Sequence, residues 1–133
     1  MEITEELKRA VWKKGVVDDK YPSDKVRKDS CGALIYYEDF GDRDSMFGWE
    51  IDHIFPKVEL CKKKDISDDQ IDNIINLRPL NCKNNASKGA NYPFYTACLK
   101  ADDEHITNIE MREGKVVNLQ IQKQLNEFYG LES

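Results

Sequence analysis

The chain has 133 residues, 34% of them charged and 40% hydrophobic, with 13 aromatic side chains, which fits one globular domain with a modest core and excludes a disordered chain. No apolar run approaches the length of a membrane span, and the stretch from Met1 to Leu7, with three glutamates, lacks the apolar run of a signal peptide, so no membrane partner and a cytoplasmic location are expected. A net charge of -5 and a pI near 5.1 argue against tight unaided binding to nucleic acid, because phosphate contact is largely cationic.

The basic residues are nevertheless clustered. Lys8, Arg9, Lys13, Lys14, Lys20, Lys25, Arg27 and Lys28 crowd the start of the chain, and Lys57, Lys62, Lys63 and Lys64 form a second group, both interleaved with acids. In the first segment Ile3, Leu7, Ala10 and Val11 stand at helical spacing behind Thr4 as a cap, which predicts a short amphipathic helix ending near Gly15 and placing Trp12 on the core. Residues 16 to 30 are polar, contain Pro22 and read as a loop. Residues 33 to 37 and 47 to 51 read as two strands of a hairpin around a turn rich in Gly41, Asp42, Asp44 and Ser45.

Beyond Pro56 a polar segment runs to about Asp69. Residues 70 to 77 carry Ile71, Ile74, Ile75 and Leu77 in a short helical or turn-like element, and residues 81 to 89 read as a helix capped by Asn81 and stopped by Gly89. The last forty residues suggest two or three strands, at about 94 to 100, 105 to 111 and 115 to 117, with Glu113-Gly114 as a turn signal. Asn118 is placed to cap a final helix over 119 to 129, with Leu119, Gln122, Leu125, Phe128 and Tyr129 on one face. Cys31, Cys61, Cys82 and Cys98 fit neither a CxxC nor an HxxxH spacing, so reduced, mostly buried thiols are expected and no structural zinc.

Three stretches carry candidate chemistry: Trp49 to Pro56, which holds Asp52-His53; Asn76 to Leu80; and Asn84 to Gly89. Each alone is ordinary, since Asp-His pairs are common on surfaces and Asn-rich helix starts are usually caps. Their order and their strand, loop and helix contexts raise the signal. Histidine, with an unperturbed pKa of about 6.5, can accept a proton near neutrality. In a regular strand Asp52 and His53 point to opposite faces, so both line one site only if the strand ends there, and Pro56 favours such an ending. Asn85 sits one turn inside the proposed helix, where it can project toward the hairpin.

These residues resemble the HNH, or ββα-metal, nuclease family in its Asn-ending variant. The resemblance rests on the Ile51-Asp52-His53-Ile54 core with Pro56, the nine-residue step from Asn76 to Asn85, and the ending from Asn85 to Lys88-Gly89. It is closer still to small bacterial HNH proteins that share a Trp-x-Lys-Gly start (Trp12 to Gly15), a Lys-Asp-x-Cys-Gly-Ala stretch (Lys28 to Ala33) and a Phe-Gly-Trp-Glu run (Phe47 to Glu50). It covers about residues 12 to 90. The implied fold is α+β, a single domain over 1-133 with a ββα-metal core at about 30-90, an N-terminal helix and a C-terminal strand and helix extension over 91-133.

The resemblance implies a metal-dependent endonuclease, a phosphodiester hydrolase acting on DNA, with RNA left open. His53 would be the general base. Asp52 and Asn85 would hold one divalent cation, Mg²⁺ or Mn²⁺ by their oxygen donors, and Asn76 would orient the imidazole of His53. Glu50 would share the face of Asp52 as a supporting partner or ligand against a plain salt bridge, Arg78 and Lys88 are candidates for phosphate contact against surface roles, and Asn84 is the register alternative to Asn85. Trp49 reads as core and His105 as structural or surface. Many HNH proteins brace the fold with zinc held by two CxxC pairs; without them the brace here must be hydrophobic or come from the extension. Two other readings remain: an HNH-fold nucleic-acid-binding or assembly subunit that works only with a protein partner or as a homodimer, favoured by the acidic charge, and a small zinc-dependent binding domain, which the cysteine spacing disfavours.

Overall fold

A computed structural model describes residues 1–131. Helix α1 (Glu5–Trp12) starts where Thr4 Oγ1 accepts the Leu7 N–H at 3.1 Å, as the spacing predicts. Three short strands follow as an antiparallel sheet, β1 (Val16–Val17), β2 (Val26–Lys28) and β3 (Leu34–Tyr36), in the order β1-β2-β3. The segment 16 to 30 therefore contributes two strands rather than a plain loop. Both are too short to leave a period in the sequence.

The expected hairpin between residues 33 to 37 and 47 to 51 does not form. β3 pairs with β2, while β4 (Trp49–His53) pairs antiparallel with β5 (Leu77–Asn81), with Asp52 opposite Arg78 and His53 opposite Leu77. Pro79 disguises β5 as a non-strand. The bond from Ile54 N to Asn76 O at 2.8 Å puts the bonded pairs at 52/78 and 50/80, so Pro79, opposite Ile51, sits where no N–H toward β4 is required. Between β3 and β4 the chain makes a 3₁₀ turn (Tyr37–Asp39) and a tight loop. There Gly48 passes so close to Asp42 that a Cβ would lie 1.8 Å from its carbonyl oxygen.

Two single-turn helices, α2 (Lys57–Leu60) and α3 (Asp68–Ile71), and a 3₁₀ turn (Ile74–Asn76) lead into β5. α4 (Cys82–Lys88) begins directly after it, with Asn81 Oδ1 accepting the Lys83 N–H at 2.9 Å and Gly89 closing it at φ 54°. The extension forms a long hairpin, β6 (Phe94–Ala101) with β7 (Asn108–Val116), and the helix α5 (Leu119–Tyr129) capped by Asn118. Glu113-Gly114 is not a turn; Gly114 pairs with Thr96 within the ladder. The chain reverses instead at 102 to 107, where the Asp102 carboxylate accepts the N–H groups of Ile106 and Thr107 at 2.8 and 3.2 Å and holds the tip without a glycine.

Two hydrophobic clusters result. One joins Val11 and Trp12 of α1 to Ile35, Tyr37, Trp49 and Leu77. Trp49 is fully buried, its ring 5.1 Å from Trp12 and 4.8 Å from Phe40. Such aromatic pairs contribute about 0.5–1.5 kcal/mol each beyond the area they bury. The other cluster draws Cys31, Ile54, Leu60, Ile71 and Leu80 from the middle of the chain and Tyr95, Ala97, Val117, Leu125 and Tyr129 from the extension, so half of that core lies outside the motif region. All four cysteines are free thiols; Cys31 and Cys82 are buried, Cys61 is exposed. Among the described residues no helix is long and apolar enough to cross a membrane.

Candidate functional site

β4 and β5 lie side by side and α4 packs across them. Residue alternation along β4 sends Trp49 into the aromatic cluster and turns Glu50 and Asp52 toward α4, where Glu50 meets Asn85 and Asp52 meets Lys88. His53 is the last residue of the strand. The chain then bends through Ile54 and Phe55 into Pro56 and α2. A depression of about 250 Å³ at this end is bordered by Asp52, His53 and Asn85, with Lys57 and Gly89 among the other walls.

Asp52 is 5% exposed and lies between two buried cations. Arg78 Nε donates to its Oδ2 at 3.0 Å, and Lys88 Nζ stands 3.4 Å from its Oδ1 while donating to the His53 carbonyl at 3.2 Å. Lys88 is fully enclosed, which removes the surface-lysine reading. Burial pushes its ammonium below the usual lysine range, with Asp52 offsetting part of the shift. For Arg78, burial opposes the charged form, but Asp52 and Tyr95 outweigh it and hold the guanidinium above its ordinary pKa. One carboxylate against two cations leaves this buried cluster with a surplus positive charge, favourable for an anionic group in the depression.

Asn85 donates through Nδ2 to Glu50 Oε1 at 3.0 Å, and Glu50 Oε2 accepts from Arg43 Nε at 2.8 Å. An ionised carboxylate only accepts, so Glu50 fixes which end of the Asn85 amide faces it. Asn85 Oδ1 is left for another partner. Glu50 is thus both a salt-bridge residue and the group that orients Asn85. Asn84 is fully occupied elsewhere: its Oδ1 accepts the N–H groups of Cys98 and Leu99, and its Nδ2 donates to Asp29 Oδ2 and Leu99 O. Between the two registers, Asn85 is the one on the depression.

Asn76 makes no hydrogen bond to the imidazole of His53. It is fully buried, its Oδ1 accepting the Phe55 N–H at 2.8 Å and its Nδ2 donating to Phe55 O and Ile71 O at 3.0 and 3.2 Å. A buried amide needs partners for both ends, and the turn after β4 supplies them. Asn76 therefore fixes the bend that ends the strand at His53. The ring is held by Asp72, whose Oδ1 is 2.8 Å from Nε2. Asp72 was not singled out in the sequence: it is one of several acids in a polar run, and its contact with His53 spans 19 positions. A carboxylate beside Nε2 favours the tautomer with its proton there, which leaves the Nδ1 lone pair free.

Other expectations sort by geometry. His105 Nδ1 lies 2.6 Å from Asp18 Oδ2, away from the depression, in a structural contact. Two of the early basic residues serve the fold: Lys14 Nζ donates to the carbonyls of Ile74 and Leu77, and Arg27 Nη1 to those of Lys13 and Gly15. Asp29, 2% exposed, accepts N–H groups from Cys31, Ala33 and Asn81 as well as the amide of Asn84. Burial raises its pKa despite these four bonds. Compared with models of known protein families, with characterised proteins and with solved structures, the chain matches none of them.

Proposed function

We propose that this chain is an HNH-type endonuclease that hydrolyses phosphodiester bonds of DNA, with His53 as general base. The observation that carries the reading is the single depression bordered by Asp52, His53 and Asn85, formed where two paired strands meet a helix. His53 Nδ1, its other nitrogen occupied by Asp72, takes the proton from the attacking water. Asn76 holds the bend that presents the ring. Lys88 and Arg78 supply the positive charge that draws a phosphate, and Lys57 stands at the rim.

The donor set fits a hard divalent cation. Asp52 offers a carboxylate with acceptor sites beyond those used by Arg78 and Lys88, and Asn85 offers the amide oxygen that Glu50 leaves unengaged. Mg²⁺ or Mn²⁺ takes one or two such protein oxygens and completes its shell with water and substrate phosphate. Bound there, the ion would stabilise charge on the phosphoryl oxygens and the leaving oxygen.

Plasmid DNA incubated with the protein and Mg²⁺ or Mn²⁺ is expected to give nicked or linear product. His53→Ala should lower the rate by about 10²–10⁴-fold, the usual contribution of a positioned base, and Asn85→Ala should raise the metal concentration needed. Equal rates for wild type and His53→Ala would overturn the assignment. An RNA of the same sequence serves as the competing substrate.

A second reading is favoured by the charge around Asp52. With Arg78 and Lys88 both against it, a cation must enter beside two like charges, which weakens metal binding. The chain would then be an HNH-fold subunit that holds DNA and acts only with a protein partner or a second copy. Wild-type protein that binds DNA in a salt-dependent way but cuts it with neither ion would favour this reading.

A further inference from the structure

A second concavity, of about 480 Å³, opens beside β5, between the turn after α1, the 3₁₀ turn before β5, and α5. Its walls are mainly aliphatic, with Ile54, Ile74, Ile75 and Ile121 among them, and it is within the size range of small-molecule pockets, about 300–1,000 Å³. Its charged lining residues are Lys14 and Arg78; no aspartate or glutamate is among the described residues around it.

Among the described residues lining the pocket there is no carboxylate facing either cation. Arg78 is 7% exposed and spends Nε on Asp52, while its Nη2 is shut off from solvent with no hydrogen bond among the described residues. The pocket thus meets two cationic side chains with no carboxylate among the described residues around it, a field that suits an anionic head group. Among the described residues Lys14 Nζ donates only to the backbone carbonyls of Ile74 and Leu77. Burial, and then the charge of Arg78, push its ammonium below the usual lysine range.

We propose that this pocket binds a small amphipathic monoanion, a medium-chain carboxylate whose head meets Arg78 and Lys14 and whose apolar body lies against the isoleucines. A doubly charged phosphate is a poor fit, because the aliphatic walls offer few donors to its remaining oxygens. A neutral apolar molecule would bring no counter-charge to Lys14 and Arg78. The inference concerns binding alone and stands whether or not the chain cuts DNA.

The test is a titration of protein carrying ¹³C-labelled isoleucine methyls with octanoate, octan-1-ol and octylammonium. Octanoate should give saturable shifts at Ile54, Ile75 and Ile121, with octanol at least about tenfold weaker, as expected when one charge-assisted hydrogen bond is lost, and octylammonium inert. Octanol binding as well as octanoate, or no saturable shift with octanoate, would overturn the proposal. Arg78 variants are avoided because that side chain also holds Asp52. Ile121→Trp fills the space from α5 and should abolish the octanoate shifts at Ile54 and Ile75; their persistence would also overturn it.

Discussion

Asp72 and Asn76 divide the task of presenting His53, one by bonding the ring and the other by bonding the backbone two residues beyond it. The division makes a prediction that does not depend on cleavage. In wild-type protein the neutral imidazole should be mainly the Nε2–H tautomer, visible in its ¹⁵N shifts, and Asp72→Ala should give a mixture of tautomers. If cleavage occurs, its rate should fall about tenfold or more as the base loses its fixed orientation. Unchanged tautomer populations in Asp72→Ala would sink the assigned role. Asp52 and Asn85 were legible in the sequence because each belongs to a short pattern with a fixed step. Asp72 was not, because its link to His53 is purely tertiary. Lys88 is a candidate by its place in the pattern, but its burial against Asp52 and the His53 carbonyl is foretold by no local property of a helix end.

At the scale of elements, the longer helices are legible in the sequence, while the single-turn helices α2 and α3 and the strand pairing are not. α1, α4 and α5 each carry their own signals: an apolar period or a cap at one end and a glycine at the other. Pairing is a contact between distant segments, and three-residue strands such as β2 and β3 are too short to show a period. β4 and β5 are 23 residues apart, and the loop before β4 decides how β4 approaches. Gly48 is its tightest point. A methyl there would meet the Asp42 carbonyl at 1.8 Å, and Gly48 also accepts the Cys82 N–H that begins α4. Gly48→Ala should therefore destabilise the fold by about 1–3 kcal/mol, the range for an added group that forces a backbone shift in a packed region. Urea unfolding measures this directly; a loss below about 0.5 kcal/mol would mean the loop yields freely.

For the whole molecule, the first thirty residues are tied to the far hairpin. Asp18 accepts the backbone N–H of Lys20 and contacts His105, while Tyr21 Oη donates to the His105 carbonyl and Lys20 Nζ to that of Glu104. The Lys20 N–H and then His105 hold the Asp18 carboxyl below its ordinary pKa of 3.8. A carboxyl depressed in the folded state contributes stability that is fully present above its unfolded pKa and is lost as pH falls through the folded value. Stability should thus decline below about pH 4, and Asp18→Asn should be less stable at pH 7 and show a shallower decline in acid. Urea midpoints at pH 7, 4 and 3 test this. Parallel profiles for the two proteins would rule out Asp18 as a source of the acid sensitivity. The absence of CxxC pairs points to a hydrophobic brace or one from the extension, and the core agrees, but no motif there announces which residues, Tyr95, Val117, Leu125 and Tyr129, complete the core with Ile54 and Leu80.

The bonds of Asn84 bear on how the chain can be cut or recombined. This residue, next to Asn85, ties α4 at once to Asp29 and to the backbone of β6. A fragment confined to residues 30–90 would keep Asp52, His53, Asn76 and Asn85 yet lose the strand that fixes the helix bearing Asn85, along with half of the central core and the Asp29 carboxylate. Grafting that segment into another scaffold would transfer the letters of the motif without the rigidity that aligns them. The transferable unit is the motif together with the hairpin behind it.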